Sequence, residues 1–80
     1  MSYQLSQHAR DVLSERGIPE EWVRRTIEGS DWITDGPDGN RHLYKSIHER
    51  DGRFLHVVLN AGENPEKVVT AFFDRRARRP

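Results

Sequence analysis

Any chemistry in this chain has to come from imidazoles, phenols, carboxylates and guanidiniums, because its 80 residues include no cysteine. That removes disulfide staples, cysteine-ligated zinc and thiol catalysis together. The densest collection of the remaining groups lies between residues 41 and 56: Arg41, Tyr44, Lys45, Ser46 and His48, then Arg53, Phe54 and His56 beyond a turn. Cleaving RNA without a metal needs groups of these kinds. A base takes the 2′-hydroxyl proton, an acid protonates the leaving 5′-oxygen, and cations hold the charge that grows on phosphorus. In that arrangement His56 is the general base or acid, Tyr44 or His48 is its counterpart, and Arg41, Lys45 and Arg53 supply the positive charge. The plainer alternative is a cross-strand aromatic patch of Tyr44 and Phe54 with ordinary surface histidines around it. No metal and no cofactor is expected, since His8, His42, His48 and His56 contain no pair at the helical i, i+4 spacing of a zinc site.

These groups can act together only if the surrounding elements bring them to one face. Ser6 suits a helix N-cap and Gly17 the residue just past a helix end, so a helix is predicted between them. Leu5, Ala9, Val12, Leu13 and Arg16 then share one side of it, with His8 at the edge. For both His8 and Arg16 a structural role is the leading reading and a catalytic one the second. Arg16 keeps its charge, so at the helix end it should reach a carboxylate or the last carbonyls. Pro19 at a first helical position, with Glu20 and Glu21 behind it, opens a second helix whose inner arc is Trp22, Val23, Thr26 and Ile27 and which ends at Gly29. So short a connection makes residues 5–29 an antiparallel helical hairpin.

After Asp31 the apolar period changes from 3.6 to 2, which predicts strands over Trp32–Thr34, Arg41–Glu49, Arg53–Asn60 and Lys67–Asp74, with residues 36–40 a loop. Asp51-Gly52 is the strongest hairpin signal, and two registers compete around it. A two-residue turn sets Ile47 against His56 and divides the apolar residues between faces. A three-residue loop, Arg50-Asp51-Gly52, pairs Ile47 with Leu55, Leu43 with Leu59 and Glu49 with Arg53. The second gives the cleaner core and is the register expected. It sets Ser46 opposite His56 and places Tyr44, Ser46, His48, Phe54, His56 and Val58 on the face away from the helices. The expectation is therefore one α+β domain, 1–80, of order α-α-β-β-β-β. The helical hairpin covers one face of a small antiparallel sheet of three or four strands over 32–74, and a basic tail follows at 75–80.

The balance of thirteen basic and thirteen acidic residues conceals a division. Residues 1–40 carry four basic and eight acidic side chains, and residues 41–80 carry nine and five, so the helical half reads as acidic and the sheet half as basic. A basic half ending in Arg75, Arg76, Arg78 and Arg79 suits phosphate, an acidic partner, or solvent. No stretch resembles a signal sequence or is apolar for long enough to cross a bilayer, which implies a soluble, cytoplasmic protein with no membrane partner.

Several segments resemble a bacterial family catalogued as domain of unknown function 4258. The opening is His8-Ala9-Arg10 through Arg16-Gly17-Ile18-Pro19-Glu20-Glu21, with Val23 two residues on. Arg41-His42-Leu43-Tyr44, Leu55-His56-Val57-Val58-Leu59 and Val68-Val69-Thr70-Ala71-Phe72-Phe73-Asp74 follow in order. Members of that family are similar to the RelE-like and barnase-like ribonuclease toxins in element order. The resemblance thus implies a RelE-like fold and a metal-independent endoribonuclease toxin of a type II toxin–antitoxin pair. It also implies an RNA target, such as mRNA on the ribosome, and a cognate antitoxin of the zinc-finger or DNA-binding kind. Carried onto matching positions it raises His8, Arg16, Arg41, Tyr44, His56 and Thr70, with Arg75 as a phosphate contact. The alternative from another class is a non-catalytic protein- or RNA-binding module.

Overall fold

Local signals fix both helices. In the computed structural model, which describes Tyr3–Pro80, α1 spans Gln7–Arg16. Met1 and Ser2, which the expected 1–80 range includes, lie outside the described residues. The Ser6 hydroxyl oxygen accepts from the Ala9 N–H at 2.9 Å, and Gly17 closes the helix in the left-handed conformation (φ 63°) while the Ile18 N–H reaches back to the Leu13 carbonyl. Helix α2 spans Glu20–Gly29, with Pro19 as its N-cap, one position earlier than expected, and Ser30 as its C-cap. Its buried side is the predicted Trp22, Val23, Thr26 and Ile27.

The sheet differs from expectation. It has five strands and is mixed: β1 (Tyr3–Leu5), β2 (Trp32–Asp35), β3 (Arg41–Ile47), β4 (Arg53–Asn60) and β5 (Glu66–Phe73), in the spatial order β1-β5-β4-β3-β2. The chain order is thus β-α-α-β-β-β-β, which corrects the expected α-α-β-β-β-β order with three or four antiparallel strands. Strand β1 runs parallel to β5, Tyr3 opposite Glu66 and Leu5 opposite Val68. Three residues are too few to show a period of 2. Their partner lies some sixty positions away, so nothing local announced the strand. Leu5, expected on the first helix, ends β1 and packs against the core from there.

Helix α1 lies over β5, and α2 over β3 and β4. Between the layers sit Ala9, Leu13, Ile18, Trp22, Val23 and Ile27 from the helical side, against Leu43, Ile47, Leu55, Val57, Leu59, Val68 and Ala71 from the strands. Val68 and Ala71 are three residues apart and could not both face the helices from a regular strand. A bulge allows it: Val58 pairs with Thr70 but Leu59 with Val68, leaving Val69 over, and the Ser6 hydroxyl donates to the Val69 carbonyl.

Neither expected hairpin register forms. Tyr44 pairs with His56, Lys45 with Leu55, Ser46 with Phe54 and Ile47 with Arg53, so the connection runs from His48 to Gly52. It winds through a 3₁₀ turn, His48–Arg50, and returns through Asp51 (φ 57°) and Gly52 (φ 77°), both left-handed. Tertiary contacts hold this longer loop. Glu49 receives two hydrogen bonds from Arg25, at 3.0 and 2.8 Å, in place of the expected pairing with Arg53. Those bonds also pull the Glu49 carboxyl down to about 2. The Arg50 guanidinium lies 5.3 Å from the ring centres of both Trp22 and Phe73 and donates to the Gly17 carbonyl. The slip from the expected register is two residues, so the side chains that remain in β3 and β4 keep their predicted faces, while His48 leaves the strand.

Candidate acid–base site

On the face away from the helices, alternation along β3, β4 and β5 presents His42 and Tyr44, Phe54 and His56, and Thr70 and Phe72. His56 stands in the middle. It is 7% exposed, and its ring lies 4.3 Å from that of Tyr44 and 4.7 Å from that of Phe72. Trp32 of β2 stacks on Tyr44 at 4.6 Å and meets Phe54 edge-on at 5.0 Å, closing an aromatic collar on that side.

Both nitrogens of His56 are engaged. Nδ1 is 2.9 Å from Asp74 Oδ2, and Nε2 is 2.7 Å from His42 Nδ1. His42 Nε2 in turn lies 3.2 Å from Asp38 Oδ1 in the loop before β3. The groups form a line: Asp38, His42, His56, Asp74. Satisfying its three contacts at once takes three protons, which with both carboxylates ionised means one imidazolium and one neutral imidazole. Burial pushes the His56 pKa below its ordinary value; the bond to Asp74 opposes this, and the neighbouring His42 reinforces it. Burial thus favours the neutral form of His56, which donates from Nδ1 to Asp74 and accepts at Nε2. Burial by itself would raise Asp74, but the hydrogen bonds from His56 and from the Arg76 N–H hold it below the usual carboxylate range. Asp38 is lowered by the backbone N–H of Asn40 and then by His42. Among the described residues no group of three or more His, Cys, Asp and Glu could hold a metal ion.

The structure brings together only some of the residues singled out in the sequence. His56 and Tyr44 are partners, and Thr70 shares their face, opposite Val58. His48 leaves the strand for the 3₁₀ turn and is exposed, and Ser46 faces Phe54 and donates to the Gly52 carbonyl. Arg41 and Lys45 alternate to the helix side of β3. Lys45 Nζ donates to the Gly29 carbonyl at 2.9 Å, finishing α2. Arg53 and Arg75 are exposed and line a cleft of about 480 Å³ with Phe54, Phe73, Asp74 and Arg78. His8 is exposed on α1, and Arg16 donates to the Ala71 carbonyl at 3.5 Å.

Asp38, His42 and Asp74 were not foreseen in the site. His42 had a signal, its i, i+2 relation to Tyr44 on one strand. The carboxylates had none, for one is in a glycine-rich loop and the other follows the last strand. Gly36 belongs with them, because a Cβ there would fall within contact of His42 Nε2 and 2.6 Å from Asp38 Oδ1.

A helix pair on a mixed sheet, with an imidazole pair held between carboxylates on the uncovered face, defines a small α+β protein with a candidate acid–base centre. Residues 5–73 match the family described as domain of unknown function DUF4258, and the chain belongs to it. No curated protein and no solved structure matches the chain. Among the described residues no helix is long and apolar enough to cross a membrane.

Proposed function

We propose that the protein is a metal-independent endoribonuclease, acting in the cytoplasm as the toxin of a bacterial type II toxin–antitoxin pair. The observation that carries this reading is the 2.7 Å contact between His42 and His56 inside a line that ends in a carboxylate on each side. Such a line holds one charge and can move a proton along it, which is what transfer to and from an RNA strand requires. His42, the more accessible ring, exchanges protons with the substrate, and the neutral His56 ring, held by Asp74, sets its tautomer. Neutral His42 takes the 2′-hydroxyl proton and becomes the imidazolium as the 2′-oxygen attacks phosphorus. The bond to the 5′-oxygen breaks, and that oxygen takes a proton from the imidazolium, leaving a 2′,3′-cyclic phosphate. The resemblance to ribonuclease toxins supports the same reading, with mRNA as target and a DNA-binding antitoxin, of the zinc-finger kind, as partner.

A second reading, a protein- or RNA-binding module without catalysis, is favoured by the burial of His56 and by the turning of Arg41 and Lys45 to the helix side. The two part in an RNA digestion with EDTA present. Cleavage to 2′,3′-cyclic ends, lowered at least about 100-fold by His42→Ala, is the expected result. RNA bound but left whole, or cleaved as fast by the variant, overturns the enzyme.

A further inference from the structure

We infer that the cleft beyond the end of the β4–β5 ladder is a subsite for one unpaired nucleotide, its base on Phe54 and its phosphate on Arg53, Arg75 and Arg78. This deepens the ribonuclease reading and rests on it for the identity of the strand. The cleft measures about 480 Å³, within the range of roughly 300–1,000 Å³ usual for small-ligand sites. Its lining joins aromatic rings with guanidiniums, of which Arg78 donates to the Arg75 and Ala77 carbonyls at 3.4 and 3.2 Å. Arg53, Arg75 and Arg78 form no ion pair with a carboxylate among the described residues, whereas Lys45, Lys67 and Arg79 of the same half do. The sole acid in the lining, Asp74, is occupied by His56 and by the Arg76 N–H, so it leaves the positive charge largely uncompensated. Three guanidiniums without a carboxylate partner, in one cleft with apolar rings, call for an anion with a flat apolar part. A nucleotide meets both demands, because every base has a face that stacks on an aromatic ring while arginine forks fit phosphate.

The connection to the acid–base line is Asp74 itself, which lines the cleft on one side and holds His56 on the other. A nucleotide seated here sets the neighbouring phosphodiester beside that line, and a base already paired in a duplex cannot reach the rings. The site therefore selects single-stranded RNA.

The test is titration of the full chain, followed by amide shifts, with adenosine 5′-monophosphate, with adenosine and with inorganic phosphate. The monophosphate is expected to shift Phe54, Phe73 and Ala77 and to bind at least about tenfold more tightly than either part alone. Arg75→Ser and Arg78→Ser should each weaken it about tenfold, the loss of one charge-assisted pair. Binding retained in His42→Ala supports the subsite whatever becomes of cleavage, and so separates its fate from that of the enzyme. Equal affinity for phosphate and monophosphate, unchanged affinity in both arginine variants, or stronger binding of a hexaglutamate peptide at the same amides overturns it; the last would mark the cleft as a seat for an acidic protein segment.

Discussion

At the scale of the residue, the centre depends on His56 staying neutral where it is buried. The titratable groups facing it are His42 and Tyr44 from β3 and Asp74 beyond β5. Because burial lowers its pKa in the folded chain from the ordinary 6.5, the unfolded chain holds more protons on this side chain between the two values. Stability therefore rises with pH through that window, and acidification from above 6.5 takes it away. Asp74 acts in a separate range: its lowered pKa stabilises the fold above 3.8 and ceases to do so as pH falls further. His56→Gln keeps a donor for Asp74 and removes the titration. The thermal midpoint of the parent chain is expected to fall between pH 7.5 and 5.5 more steeply than that of the variant, by scanning calorimetry at matched ionic strength. Parallel curves would mean that the His56 ring does not carry the pH dependence.

Elements decide which of these residues meet, and they were legible to different degrees. Both helices could be read from their ends, since Ser6 and Gly17 make their own hydrogen bonds locally. The faces of β3 and β4 could be read too, because alternation survives any even slip, so Tyr44 and His56 were placed on one side before their register was known. The register itself could not be read. It is held by Arg25 reaching Glu49 and by Arg50 between Trp22 and Phe73, contacts across 23 positions or more whose formation presupposes the fold. The same distance hid β1 and the carboxylates at the two ends of the imidazole line. One element, the loop Gly36–Asn40, can be tested directly, for it brings Asp38 to His42 only while position 36 has no side chain. Gly36→Ala should turn the His42 ring away from Asp38 with little change in the helices. Moving an acid–base group out of line costs much of its contribution, so cleavage is expected to fall at least about tenfold. Changed imidazole nitrogen shifts at His42 report the displacement without any assay of activity, and unchanged shifts would show that the loop yields instead.

For the molecule as a whole, the division of charge is real but is arranged differently from a plain contrast of helices with sheet. Helices α1 and α2 are nearly balanced, with four basic and five acidic residues. Much of the acid surplus of the first half is Asp31, Asp35 and Asp38, along the outer strand β2 and its flanks. Lys45 and Arg79 approach Asp31 at 3.8 and 3.4 Å, which quiets part of that edge. Three guanidiniums without a carboxylate partner, those of Arg53, Arg75 and Arg78, gather elsewhere, around the cleft at the end of the β4–β5 ladder. An anionic strand is therefore drawn to one end of the sheet and repelled from the β2 edge, which favours a single orientation on approach. Binding by three arginines releases about three counterions, and on single-stranded nucleic acid each contributes about −0.7 to the slope of log affinity against log salt, so a slope near −2 is expected. Raising salt from about 50 to about 200 mM should then weaken an uncleavable 2′-O-methyl oligonucleotide about twentyfold. Arg75→Ser should make the slope shallower by about 0.7, whereas Arg41→Ser, at the other end of the β3–β4 ladder, should leave it unchanged. Equal losses of slope in the two variants would mean that the strand follows the overall field of the basic half, and that the cleft does not direct it.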